Sequence, residues 1–167
     1  MGRGRIVALA GLTLLALVWL TAAVASNVML VNGFSMMPLL HSGQVLVLNR
    51  AAYQAGVGAG PHRGDLVIFR REQEYLVKRV IGLPGELVRV DTGRVLIDGV
   101  QLDEPYVLDT DDYTYPLHGG TVRVPDGQYF VLGDNRPEST DSHLGWFVAA
   151  DELVAQAWPL PVVLPNI

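Results

Sequence analysis

Tyr75-Leu76-Val77-Lys78-Arg79-Val80-Ile81-Gly82-Leu83-Pro84-Gly85-Glu86-Leu87-Val88-Arg89-Val90-Asp91-Thr92-Gly93-Arg94-Val95-Leu96-Ile97-Asp98-Gly99 is a chain of short apolar runs cut by turn residues. Pro84-Gly85, Asp91-Thr92-Gly93 and Asp98-Gly99 are reversal points, since Pro presets φ and Gly and Asp tolerate turn conformations. The β-branched residues between them favour strands. The same rhythm continues outward at Gln44 to Leu48, Leu66 to Phe69, Val122 to Val124, Tyr129 to Leu132 and Leu153 to Ala157, with another turn at Pro125-Asp126-Gly127. These runs predict a mainly β fold, a folded antiparallel sheet or barrel-like domain over residues 32–167. Two segments break the rhythm: the Gly- and Ala-rich Ala51 to Gly64, and Gln101 to Gly120, which holds Asp103, Glu104, Asp109, Asp111 and Asp112 with no Arg or Lys. Both are expected to be exposed excursions.

Upstream of the β region the chain changes character. No charged residue occurs from Ile6 to Val31, while Arg3 and Arg5 precede the run and the next fixed charge is Arg50. Some twenty-five helical residues would span roughly 37 Å, enough for a bilayer core of about 30 Å. The positive-inside rule then puts residues 1–5 in the cytoplasm, a transmembrane helix over 6–31, and residues 32–167 outside. A cleavable secretory signal is the competing reading, with small residues at Ala23-Val24-Ala25. Continuation of the apolar run through Val28-Met29-Leu30-Val31 favours an uncleaved anchor. Both readings export the remainder. At the other end, Trp158-Pro159-Leu160-Pro161-Val162-Val163-Leu164-Pro165 either touches the bilayer or supplies a further strand.

Composition narrows the function classes. The 167 residues suffice for one domain and an appendage. A formal net charge of −5 offers no surface for neutralising many phosphates, so nucleic acid is not an expected partner. With no Cys, thiolate sites and thiol nucleophiles are excluded. His41, His62, His118 and His143 show no metal-ligand spacing, so neither a metal nor a cofactor is expected.

Of the twelve Lys plus Arg residues, eleven are Arg and only Lys78 is lysine. An Arg-biased genome gives that ratio by chance; the functional alternative is a position needing an amine that can lose its proton. Alternation in the strand puts Lys78 on a face with Leu76 and Val80, and Arg79 on the other with Val77 and Ile81. Burial would lower the Lys78 pKa toward the range of a general base, whereas a buried stem with the amine in water at a strand edge would leave it ordinary. Ser35, in Gly33-Phe34-Ser35-Met36-Met37-Pro38-Leu39-Leu40, lies just after the apolar span, with Phe34, Met36, Met37, Leu39 and Leu40 available to lipid or an apolar substrate. Gly133-Asp134-Asn135-Arg136-Pro137-Glu138-Ser139-Thr140-Asp141-Ser142-His143 is longer than a tight turn needs.

Taken together, Ser35-Met36-Met37-Pro38, Arg63-Gly64-Asp65-Leu66-Val67-Ile68-Phe69, Tyr75 to Glu86, and Gly133-Asp134-Asn135-Arg136 through Ser139 to Asp141-Ser142 resemble, in order, blocks of the bacterial type I signal peptidases, membrane-anchored Ser-Lys proteases. The resemblance implies Ser35 as nucleophile and Lys78 as general base. It implies that Ser139 orients the amine, that Asp141 supports that loop, that Asp134 pairs with Arg79, and that the Ser35 N–H forms part of the oxyanion hole. Gly33, Phe34, Met36, Met37 and Pro38 would lie near substrate and membrane. The implied substrates are signal peptides of exported precursors, bound as an extended strand with small residues before the cut, at the outer face of the cytoplasmic membrane.

Gly33 stands where some members carry Ser, so the second oxyanion donor is not a side chain there. His143 stands where Arg is usual, which predicts weaker loop support above pH 7. Two other readings compete: a cytosolic Ser-Lys autoprotease of the repressor type, disfavoured by the anchor and acidic balance, and a non-catalytic exported binding module. No oligomeric state follows from the sequence.

Overall fold

The computed structural model describes residues 12–18, 26–53, 60–108 and 113–163, and within them the apolar runs become eleven strands. In chain order these are β1 (Val28–Leu30), β2 (Gln44–Asn49), β3 (Leu66–Arg71), β4 (Glu74–Gly82), β5 (Leu87–Asp91), β6 (Arg94–Ile97), β7 (Val100–Gln101), β8 (Val122–Arg123), β9 (Gln128–Leu132), β10 (Val148–Ala149) and β11 (Leu153–Val163). Seven form an antiparallel sheet in the order β1-β2-β11-β3-β4-β9-β10, and four form a smaller sheet, β7-β6-β5-β8. The larger sheet begins at β1 and ends at β10, so the barrel-like expectation is corrected to an open, mainly β architecture.

Period two explains the layering. In β3, Leu66 and Ile68 join a cluster with Met36, Leu40, Leu46, Leu48, Ala155 and Ala157, while Val67 and Phe69 join Val80, Val131 and Val148 on the opposite side. The strand is buried on both faces and therefore reads as the continuous apolar run Leu66-Val67-Ile68-Phe69. Where β4 and β9 pass under the small sheet, Ile81, Phe130 and Leu132 pack with Val88, Val90, Val95 and Ile97. Gly82 is required at that junction, because a Cβ there would lie 2.7 Å from the Val88 side chain and 3.0 Å from the Phe130 Cβ.

Three expectations change. Val28–Leu30, read as the end of the anchor, instead pairs with Val45 to Val47 of β2, and Val31 enters the core. A three-residue edge strand has the composition of a membrane run, so apolarity alone did not separate them. Among the described residues no helix is long and apolar enough to cross a membrane. Residues 12–18 are helical, and the rest of the expected span up to residue 25 lies outside the described residues.

The acidic segment is likewise not simply exposed. Glu104 pairs with the buried Arg136, and Tyr115 is buried and bridged to Val90. Glu104, which looked solvated, is drawn in by a guanidinium on the core, while Asp103 stays exposed. Asp109, Asp111 and Asp112 lie outside the described residues. As far as Val163 the tail is a strand, Trp158, Pro159 and Val163 pairing with β2, while Leu164 and Pro165 lie outside the described residues.

Candidate active site

β4 lies between β3 and β9 in the sheet, and its pairing with β9 covers only Arg79 to Gly82, so Lys78 stands where the paired, buried half of the strand meets the open half. Lys78, opposite Val67 in the β3 register, is only 2% exposed. Its Nζ donates to Ser139 Oγ at 3.0 Å. Desolvation lowers its pKa from 10.5 to about 8, against the opposing pull of the Asp141 and Asp134 carboxylates. An amine so placed is partly neutral near physiological pH and can take a proton.

Ser35 is held by its main chain. The turn after β1 brings Met37 N–H to the Phe34 carbonyl and Leu40 N–H to the Met36 carbonyl. That winding drives Met36 and Leu40 into the core. Neither is free to meet lipid or substrate, which corrects the surface role expected of Met36 and Leu40. Asn135 clamps the turn from outside, its backbone N–H donating to the Ser35 carbonyl at 3.0 Å and its Nδ2 to the Phe34 carbonyl at 3.0 Å. Gly133 makes this approach possible: a Cβ there would lie 2.4 Å from the Ser35 carbonyl oxygen and 2.2 Å from Ser139 Oγ.

The loop after β9 is organised by two carboxylates. Asp134 accepts a forked pair from Arg79, Nε to Oδ1 at 2.8 Å and Nη2 to Oδ2 at 2.6 Å, and Arg79 Nη1 also donates to the Gly64 carbonyl. Fork geometry pins the loop to β4 on the face opposite Lys78. Asp141, 1% exposed, accepts the Ser139 hydroxyl and the Gly133 N–H on Oδ2, and the backbone N–H and ring Nδ1 of His143 on Oδ1. Ser142 turns inward to accept the Val131 N–H.

Ser35 and Lys78 line one open groove of about 410 Å³ with Gly33, Phe34, Leu76 and Thr140. Met37 and Pro38 line a smaller hollow with Leu108, Asp134 and Asn135. Sequence reasoning quoted Gly133 and Asn135 within the family block without giving either a role, and it missed the Glu104–Arg136 pair. An Asn whose task is to bind two carbonyls a hundred residues away leaves no local pattern. Gly133 stands at a strand end, where glycine is ordinary.

Comparison with known proteins gives the family. The family model described as "Signal peptidase, peptidase S26" matches residues 4–160. A probable signal peptidase I-2 of Synechocystis is 39% identical over 141 residues, covering 77% of this chain and 62% of that protein. Signal peptidase I of Bacillus caldolyticus is 39% identical over 144 residues, covering 77% of this chain and 78% of that one. A crystal structure of signal peptidase I from Enterococcus faecalis superposes with a TM-score of 0.50 at 34% identity, covering 57% of this chain and 95% of that one. The chain thus spans a little under two thirds of the length of its Synechocystis relative. With a family match over nearly its whole length and relatives well above 30% identity, the chain belongs to the type I signal peptidases of the S26 peptidase family.

Proposed function

We propose that this protein is an endopeptidase that removes signal peptides from exported precursors, with Ser35 as nucleophile and Lys78 as general base. The buried, depressed-pKa amine of Lys78 in the same groove as Ser35 carries this reading. The neutral amine takes the proton of Ser35, the Ser35 oxygen attacks the scissile carbonyl, and the Ser35 N–H stabilises the oxyanion. Among the described residues that N–H has no backbone acceptor. Collapse of the tetrahedral species passes the proton from Lys78 to the leaving amine and leaves an ester on Ser35. Water, deprotonated by the same amine, then hydrolyses the ester. Ser139 orients the amine, Asp141 holds Ser139, and the Arg79–Asp134 pair fixes the loop.

The reaction takes place at the outer face of the cytoplasmic membrane, with residues 1–5 inside, an anchor from residue 6, and the β domain outside. Two features support this. The uncharged run from Ile6 to Ala25 retains twenty residues after β1 is subtracted, which as a helix would reach about 30 Å, one bilayer core. Immediately after it, the outer face of the sheet is apolar: Val28, Val47 and Trp158 are in register across β1, β2 and β11, with Leu30, Leu160 and Val162 exposed beside them.

Membranes carrying the protein, incubated with an exported precursor whose signal peptide ends in Ala-x-Ala, test the proposal. Cleavage after the final Ala, established by N-terminal sequencing, is expected from the parent and abolished by Ser35→Ala and by Lys78→Arg. The second substitution keeps the charge and removes the dissociable proton. Undiminished cleavage by either variant overturns the assignment.

A further inference from the structure

Behind Lys78 runs a buried polar chain that ends on a residue able to change charge. Lys78 donates to Ser139 at 3.0 Å, Ser139 donates to Asp141 Oδ2, and Asp141 Oδ1 receives the His143 ring Nδ1–H at 2.7 Å. Lys78, Ser139 and Asp141 are buried, whereas the His143 side chain is 24% exposed and open to proton exchange. With Asp141 enclosed between an amine and an imidazole, the charge on each is felt by the others. While the ring is neutral, the Asp141 charge acts on Lys78 undiminished and holds its proton on. A charged group at position 143 offsets Asp141 and loosens that proton.

We propose that His143 is a positioning residue for Lys78: its ring fixes the carboxylate through which Ser139 orients the amine, and its charge sets how readily that amine sheds a proton. The surrounding ionisable groups leave this control to His143. Asp134 also pulls on the Lys78 proton, but it stays paired with Arg79, as Glu104 does with Arg136, so neither pull changes with the group at position 143. Tyr113, whose ring lies 5.1 Å from that of His143, has its phenol pushed up to about 12 by burial and stays neutral at working pH. On the groove side, Arg71, Glu72, Glu74 and Glu138 line the solvent-open mouth, where water screens them.

The inference rests on Lys78 being the general base, but its test does not need proteolysis. Lys78 is the single lysine, so the full chain labelled with lysine carrying ¹³C at the ε carbon has one lysine Cε resonance in detergent micelles. His143→Arg is expected to lower the Lys78 titration midpoint by roughly half a unit to one unit, the reach of one charge through an intervening carboxylate at an effective dielectric of about 20. His143→Asn, a neutral donor, leaves it in place. The acid limb of the pH profile for cleavage moves with the midpoint.

In the unsubstituted chain, the Lys78 resonance should show a smaller inflection where the His143 ring resonance titrates. That measurement stands even if a variant fails to fold. An unmoved midpoint in folded His143→Arg, an equal shift in His143→Asn, or the missing inflection each overturns the proposal. Loss of the cleavage assignment is read separately, from an active Ser35→Ala or Lys78→Arg, so the two failures are distinguishable.

Discussion

At the residue scale, an amine titrating near pH 8 affects both rate and stability. Cleavage by the free enzyme should rise with pH through about 8, because the base is the neutral form; at pH 7 only about a tenth of Lys78 is neutral. A kcat/KM profile whose acid limb lies below pH 6 would contradict the assignment. Stability follows the opposite interest. The unfolded chain keeps its lysine near 10.5, so between about 8 and 10.5 the unfolded state binds more protons and stability rises with pH. Below pH 8 the fold carries the full cost of a buried ammonium. Lys78→Met is therefore expected to stabilise the protein by about 2 kcal/mol at pH 7, a gain that fades towards pH 10.5, while abolishing cleavage. Thermal unfolding at pH 7 and pH 10 checks both the sign and the trend.

At the element scale, the turn after β1 and the loop after β9 meet with no room between them. Gly133→Ala must push the Ser35 carbonyl or Ser139 away, and a displacement of about 1 Å in a catalytic group costs on the order of 10²-fold in rate. Overpacking should also remove about 1–3 kcal/mol of stability. Full activity in a folded Gly133→Ala would show that the two segments are not rigidly coupled. This junction also marks the limit of what the sequence discloses. Longer strands such as β3, β4 and β9 are legible because alternation and turn residues delimit them, and the same alternation puts Lys78 among Leu76 and Val80, where it is indeed buried. The two-residue β7 and β10 exist only through their partners and carry no periodicity of their own. Met36 looked like a surface residue because its direction is set by the winding of a turn, which composition does not encode.

At the scale of the whole molecule, the domain presents one apolar sheet face and the groove lined by Ser35 and Lys78, both close to the segment that follows the uncharged N-terminal run. Val28 is in register with Val47, and Val47 with Trp158, so these three side chains share a face, whereas Leu46 and Met29 on the reverse face belong to the core. Trp158 is 47% exposed and Leu30 50% exposed, and with Val28, Leu160 and Val162 they leave several apolar side chains open on one part of the sheet. Seated at a lipid surface, that face would hold the groove where a precursor emerges from the bilayer, and alternate substrate side chains could enter it without leaving the interface. Trp158→Ser and Leu30→Ser should then each weaken binding of a fragment starting at Ser26 to phospholipid vesicles roughly fivefold, the effect of losing about 1 kcal/mol of apolar burial. Cleavage of a short soluble peptide should be unchanged, while cleavage of a membrane-inserted precursor falls. Equal loss on both substrates would mean that the residues serve the fold and not the membrane. Equal vesicle binding by parent and variants would remove the lipid from this face altogether.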